Sequence, residues 1–184
     1  PAGLPQWAMI LLGLVALLAT SQLAVSLVNW LASLLVAPQP LPKMDFSKGI
    51  PPAARTLVVV PTMLTSASGV ESLIEALEVR FLANRDPSLH FALLTDFRDA
   101  EQESLPEDES LLLLAKNRID ELNEKYASHG VPEKNTIFHL FHRPRCWNAR
   151  EAVWMGYERK RGKLAALNAL LRGKGREAFM LIVG

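Results

Sequence analysis

The sequence predicts an α/β protein in which a membrane-spanning helix is followed by a mainly parallel sheet. Two observations carry that expectation. Trp7 to Val36 is a run of thirty residues without a charge, whereas a bilayer-crossing helix needs only about 20. From Arg55 onward, short apolar runs alternate with amphipathic stretches, the pattern of strands buried on both faces and joined by helices.

The apolar run comes first. At about 1.5 Å per residue it reaches about 45 Å, more than the hydrocarbon core requires, so it has to tilt or extend into the headgroups. Trp7 and Trp30 suit the two interfaces. A cleaved signal peptide is the competing reading, but no cation precedes the run and the stretch is too long. The first cations, Lys43, Lys48 and Arg55, follow it. By the positive-inside tendency, residues after 40 are expected in the cytoplasm. Residues 37–54 carry five of the chain's 12 prolines and predict an extended linker.

The remainder, residues 55–184, reads as one domain. "TLVVVPT" is the first strand, and Ser68 to Glu71 is expected to cap the helix carrying Val70, Leu73, Ile74, Leu77, Phe81 and Leu82. Asn84 to Pro87 stops it. "HFALLTD" is the second strand. After an acidic loop come Leu112, Ala115, Ile119, Leu122 and Tyr126 on one helical face, ended by Gly130 and Pro132. "TIFHLFH" makes the third strand, "KLAALNALLR" a helix closed by Gly173, and "AFMLIV" a fourth strand expected to run parallel to the rest.

Charge is segregated along the chain although its net value is +1. Asp96 to Glu109 holds seven acidic residues against Arg98, and Arg143 to Arg176 holds ten of the 20 cations against Glu151 and Glu158. The single cysteine, Cys146, excludes an internal disulfide and a Cys-rich metal site, and fits a reducing compartment. The four histidines have no helical ligand spacing, and His139 and His142 would face opposite sides of a strand.

Ligands of open α/β sheets sit beyond the carboxyl ends of the strands. Attention therefore falls on Pro61 and Thr62, Asp96 and Asp99, and Arg143 and Arg145. There is no G-x-x-x-x-G-K-[ST], G-x-G-x-x-G or G-x-S-x-G motif, so a P-loop, a dinucleotide fold and a nucleophile elbow have no support. What stands instead is an acid ending the second strand and a basic segment, "ERKRGK", before the last helix. An Asp at a strand end can accept hydrogen bonds from a uracil N–H or ribose hydroxyls, and cations at a helix N-terminus complement a diphosphate. Arg159, Lys160, Arg161 and Lys163 oppose the helix macrodipole, which argues for an anion among them. Taken alone, the segment fits a solvated or lipid-contacting face equally well. Trp147 and Trp154 read more readily as packing groups than as sugar-stacking platforms.

"VVVPT", "LLTD" and "RGKLAALNALL" resemble the nucleotide-sugar half of inverting GT-A glycosyltransferases. The longer strings "RTLVVVPTML", "FALLTDFRDA", "FHLFHRPRCWN" and "WMGYERKRGKL" are similar to the bacterial cyclic β-1,2-glucan synthases. That resemblance implies a partial GT-A domain and an inner-membrane, multi-pass enzyme building glucan from UDP-glucose. Its partners would be the donor, the growing glucan chain and the bilayer, with no nucleic acid. By the same resemblance Pro61 and Thr62 line the uridine pocket, Asp96 binds uracil or ribose, and Lys160, Gly162 and Lys163 face the diphosphate. The divalent metal (Mg or Mn), the general base and the acceptor motif of such enzymes would lie beyond Gly184. The start at Pro1 and the end inside "FMLIVG" predict a piece of a longer protein, inactive alone. A processive synthase of a linear glucan and a non-catalytic module binding lipid or a partner are the alternatives.

Overall fold

The computed structural model describes residues 4–36, 45–127 and 136–184. The chain divides into two compact units, Pro1–Asp45 and Phe46–Gly184. Residues 37–44 of the expected linker, Lys43 among them, and the helix stop at Gly130 and Pro132 lie outside the described residues.

Among the described residues the first unit holds one helix, α1 (Gln6–Leu35), of 30 residues. Its mean hydropathy reaches 2.2 and none of that stretch is buried against protein, so it is long and apolar enough to cross a membrane. Three of its hydroxyls, those of Thr20, Ser21 and Ser33, turn back onto its own backbone. Thr20 donates to the Ala16 carbonyl at 2.9 Å and Ser33 to that of Asn29 at 2.8 Å. These bonds satisfy the Thr20 and Ser33 hydroxyl donors within the helix, as suits a hydrocarbon environment.

In the second unit, β1 (Thr56–Leu64) leads through α2 (Ala67–Ala83) to β2 (Leu89–Phe97). Next come α3 (Asp108–Ala127) and β3 (Phe138–His142). A small hairpin, β4 (Cys146–Asn148) and β5 (Val153–Met155), precedes α4 (Arg159–Leu171) and β6 (Leu181–Val183). The sheet order is β1-β2-β3-β6, with β1, β2 and β3 mutually parallel.

Alternation of side chains decides what each face holds. Val58, Val60, Phe91, Leu93, Phe138 and Leu140 pack with Ile74, Leu77, Ala115 and Ile119 of α2 and α3. Leu57, Val59, Ala92, Leu94 and Phe141 meet Leu167 and Leu170 of α4 on the other face. Phe81 anchors the first cluster, its ring 4.8 Å from that of Tyr126 and 5.3 Å from that of Phe138.

Three expectations are corrected. β6 runs antiparallel to β3, pairing Leu140 with Val183 and His142 with Leu181. After α4 the chain turns through Gly173 (φ +76°), Gly175 (φ +70°) and a 3-10 turn at Arg176–Ala178, so it re-enters the sheet from the opposite end. The cap of α2 is Ser66, not Ser68: Ser66 is extended, and its hydroxyl accepts from Gly69 N–H at 3.1 Å. Lastly, α4 begins at Arg159, so the basic segment forms its first turn instead of preceding it. Gly173 does follow α4 in the left-handed conformation, with Lys174 N–H bonded to the Ala169 carbonyl at 2.9 Å.

Candidate functional site

At the carboxyl ends of β1 and β2 a cavity of about 280 Å³ is bordered by Pro61, Thr62, Asp96, Asp99, Lys160 and Lys163, with Gly156 and Arg159 closing it. Five of the six residues expected to bind a donor therefore converge on one place. Gly162, the sixth, lies beneath. A Cβ there would fall 2.1 Å from the Tyr157 carbonyl oxygen and 3.1 Å from Arg143 Nη1, so its absence of side chain lets α4 sit close to the preceding loop. Larger clefts of about 560 Å³ and 480 Å³ open beside His90 and His139 and beside the acidic loop. The smaller one is the candidate because strand-end acid and helix-start cations meet there.

Asp96 is the centre of the site. Its Oδ1 is 2.7 Å from Lys163 Nζ and its Oδ2 is 3.1 Å from Arg143 Nη2. Lys163 also donates to the Thr62 carbonyl, tying α4 to the end of β1. Asp96, Lys163 and Arg143 are only 2%, 4% and 7% exposed. One carboxylate and two cations in a dry setting leave a net positive charge, and Arg143 Nε has no hydrogen-bond partner among the described residues. Such a cluster is costly to bury unless it is bonded or meets an anion.

The four cations of the first turn of α4 separate by environment. Lys163 faces inward to Asp96. Arg159 pairs with Asp99 at 2.8 Å. Arg161 is 85% exposed at its side chain, with Glu158 3.7 Å away. Lys160 borders the cavity and makes no hydrogen bond or ion pair among the described residues. No acidic residue stands in this turn to offset the macrodipole.

The turn begins in a strained way. Glu158 (φ +52°) and Arg159 (φ +45°) are successive non-glycine residues in the left-handed region, each at a cost of about 1 kcal/mol or more. Glu158, as N-cap, offers no side-chain cap. Just before it, Gly156 touches the carboxylate: a Cβ at this position would lie 1.9 Å from Asp96 Oδ2. Gly156→Ala should therefore cost about 1–3 kcal/mol by overpacking, read as a lowered thermal midpoint. An unchanged midpoint would show that the segment moves aside freely.

Arg145, also a strand-end cation, serves the framework. Its guanidinium grips both carboxylate oxygens of Asp108, with Nη2 to Oδ1 at 3.0 Å, and its Nε donates to the Arg98 carbonyl at 2.6 Å. It lies 4.9 Å over the Phe97 ring and so staples the acidic loop to the sheet. Burial pushes the Asp108 carboxyl up, but the hydrogen bonds from Arg145 and from Leu105 N–H outweigh it and hold the group below its ordinary range.

His142 stands behind this staple, fully buried, bonded through Nδ1 to Thr95 Oγ1 at 2.8 Å. Burial, reinforced by the Arg145, Lys163 and Arg143 charges, pushes its pKa down to about 3 against the pull of Asp108. Unfolded histidine takes up its proton near pH 6.5. Between those values the unfolded chain binds more protons, so stability falls as pH drops, by up to about 1.4 kcal/mol per pH unit. Asp108 acts with the same sign, since its depressed pKa gives stability that is lost as pH falls through the folded value. Thermal melts from pH 7 to pH 4 should show the decline, shallower in His142→Asn; a flat profile would contradict it.

The hairpin has no counterpart among the elements that the sequence predicts. Trp147 and Trp154 are directly paired across β4 and β5, their rings 5.8 Å apart, and Trp154 bridges to Ala100. Trp147 remains 49% exposed. The period-two signal of a strand cannot be read from three residues, although the two Trp residues flanking "NAREAV" are a hint. Among the described residues no group of three or more His, Cys, Asp or Glu could hold a metal ion. With both oxygens of Asp96 engaged by cations and Asp99 paired with Arg159, the residues present do not fit a divalent ion.

No protein-family model matches the chain. The chain is 42% identical over 180 residues to the cyclic β-(1,2)-glucan synthase NdvB of Rhizobium meliloti (strain 1021). The match covers 98% of this chain and 6% of that protein, so the chain spans a small part of its relative's length. The resemblance read from the sequence strings is borne out by this similarity.

Proposed function

We propose, from a relative that is a cyclic β-1,2-glucan synthase, that this chain is the donor-binding part of a membrane glucosyltransferase using UDP-glucose. The observation that carries the reading is the strand-end cavity, in which Lys160, unpaired among the described residues, stands at the start of α4 beside the net-positive cluster of Asp96, Lys163 and Arg143. Free N–H groups and cations at a helix start are suited to a diphosphate. In this reading Pro61 and Thr62 line the uridine pocket and Asp96 meets the uracil or ribose. Lys160 takes the diphosphate charge, with Lys163 behind it, and Gly162 keeps the helix start close.

The chemistry follows from these positions. A base contributed by residues outside 1–184 would remove the proton from a sugar 2-hydroxyl of the growing chain. The oxygen would attack the anomeric carbon, and the bond to UDP would break with inversion. Negative charge accumulating on the leaving diphosphate is what Lys160 and the first turn of α4 stabilise. The divalent ion expected in the complete enzyme would need ligands outside this chain, and no step is derived through it. Helix α1 would span the bacterial inner membrane with the second unit in the cytoplasm, joined by further spans elsewhere in a complete protein.

Membranes carrying the complete protein, supplied with UDP-glucose, should form glucan whose linkage analysis shows β-1,2 bonds. Another linkage would favour a linear-glucan synthase. Absence of transfer, together with binding of the second unit to anionic liposomes, would favour a non-catalytic module that docks on lipid.

A further inference from the structure

We infer that Arg143 is the positioning residue of this cavity: it holds the left-handed start of α4 and so sets where Lys160 stands. The inference rests on the donor-binding reading and extends it to a residue that touches no ligand. Nη2 of Arg143 reaches the Asp96 carboxylate at 3.1 Å, the Tyr157 carbonyl at 3.2 Å and the Arg159 carbonyl at 3.4 Å. One buried guanidinium thus connects the end of β2, the loop before α4 and the first residue of α4.

The connected segment is the strained one. Glu158 and Arg159 have positive φ without being glycine, and a conformation of that kind persists only where its surroundings fix it. Arg143 supplies the fixing bonds on both sides of Glu158. Glycines stand where the segment comes closest to its neighbours: Gly156 against Asp96, and Gly162 over Arg143 Nη1. Without the guanidinium the start of α4 would relax to an ordinary extended N-cap. Arg159 and Lys160 would then turn away from the cavity while the helix itself remained folded.

The test uses donor KM and kcat of the complete protein in membranes. Arg143→Lys keeps the charge but ends about one bond short of the three acceptors. It should raise the KM for UDP-glucose about tenfold with kcat changed less than about twofold, the mark of lost donor positioning. Glu158→Gly added to that variant removes the left-handed penalty and should return KM to within about threefold of wild type. Rescue of this kind is not expected if Arg143 contacts the donor or merely stabilises the fold. With Arg143 intact, Glu158→Val places a β-branched residue in the left-handed region and should also raise KM severalfold, whereas Glu158→Gln should not.

An unchanged KM in Arg143→Lys, or a double variant as weak as the single, overturns the inference. If Arg143→Lys does not accumulate in membranes, the Glu158→Val arm decides alone: unchanged KM overturns it. Failure of the wild type to use UDP-glucose would instead overturn the donor-binding reading itself, and the inference with it.

Discussion

Asp96→Ala lowers the stability of the second unit by about 3–5 kcal/mol, because it leaves Lys163 and Arg143 buried without their common counter-ion. For a unit of this size that corresponds to a fall in thermal midpoint of about 10 °C or more. The effect is large because neither cation reaches bulk water: Lys163 is 4% exposed and Arg143 7%. Combining Asp96→Ala with Lys163→Met should recover part of the loss, since one uncompensated charge is then removed and a chain of similar volume fills its place. A single-variant loss under about 1 kcal/mol, within the range of surface substitutions, would mean that the cations find water and that the cluster is not the keystone of this sheet end.

Lys160→Ala should behave in the opposite way. Stability should be untouched, because Lys160 is exposed and unpaired among the described residues, while affinity for UDP-glucose falls about ten- to hundredfold, the loss of a charge-assisted contact of about 1.5–3 kcal/mol. Arg161→Ala is the matched control. Its side chain is 85% exposed and it does not border the cavity, so donor affinity should change less than about twofold. Equal effects at Lys160 and Arg161 would point to a diffuse field of the basic turn instead of a contact.

The parts of the fold that the sequence disclosed are those with long local signals. Thirty uncharged residues are a helix in any register, and the β-branched runs of β1 and β2 are long enough to show burial on both faces. Strand direction is another matter. Leu181–Val183 contains nothing that distinguishes parallel from antiparallel pairing; the turns at Gly173 and Gly175 decide it. Likewise Ser66 and Ser68 are both competent caps, and the extended backbone of Ser66 selects between them.

The same division holds in the site. Pro61, Thr62, Asp96 and Lys160 could be placed because each lies in the carboxyl-terminal part of a strand or at the start of a helix, and topology brings those ends together. The Arg143–Asp96 bond joins residues 47 apart in sequence, and the left-handed backbone at Glu158 belongs to a residue type that gives no warning of it. Arg143 and Arg145 look alike as strand-end cations, yet one clamps Asp96 and the other Asp108. Only the fold separates them.

The central claim is that the strand-end cavity binds a uridine diphospho-sugar. Equilibrium binding of radiolabelled UDP-glucose to the purified complete protein tests it most directly, with wild type, Lys160→Ala and Arg161→Ala measured side by side. The account predicts saturable binding that unlabelled UDP displaces, retained in Arg161→Ala and weakened about ten- to hundredfold in Lys160→Ala. Absence of saturable binding, or equal affinity in all three proteins, would contradict it.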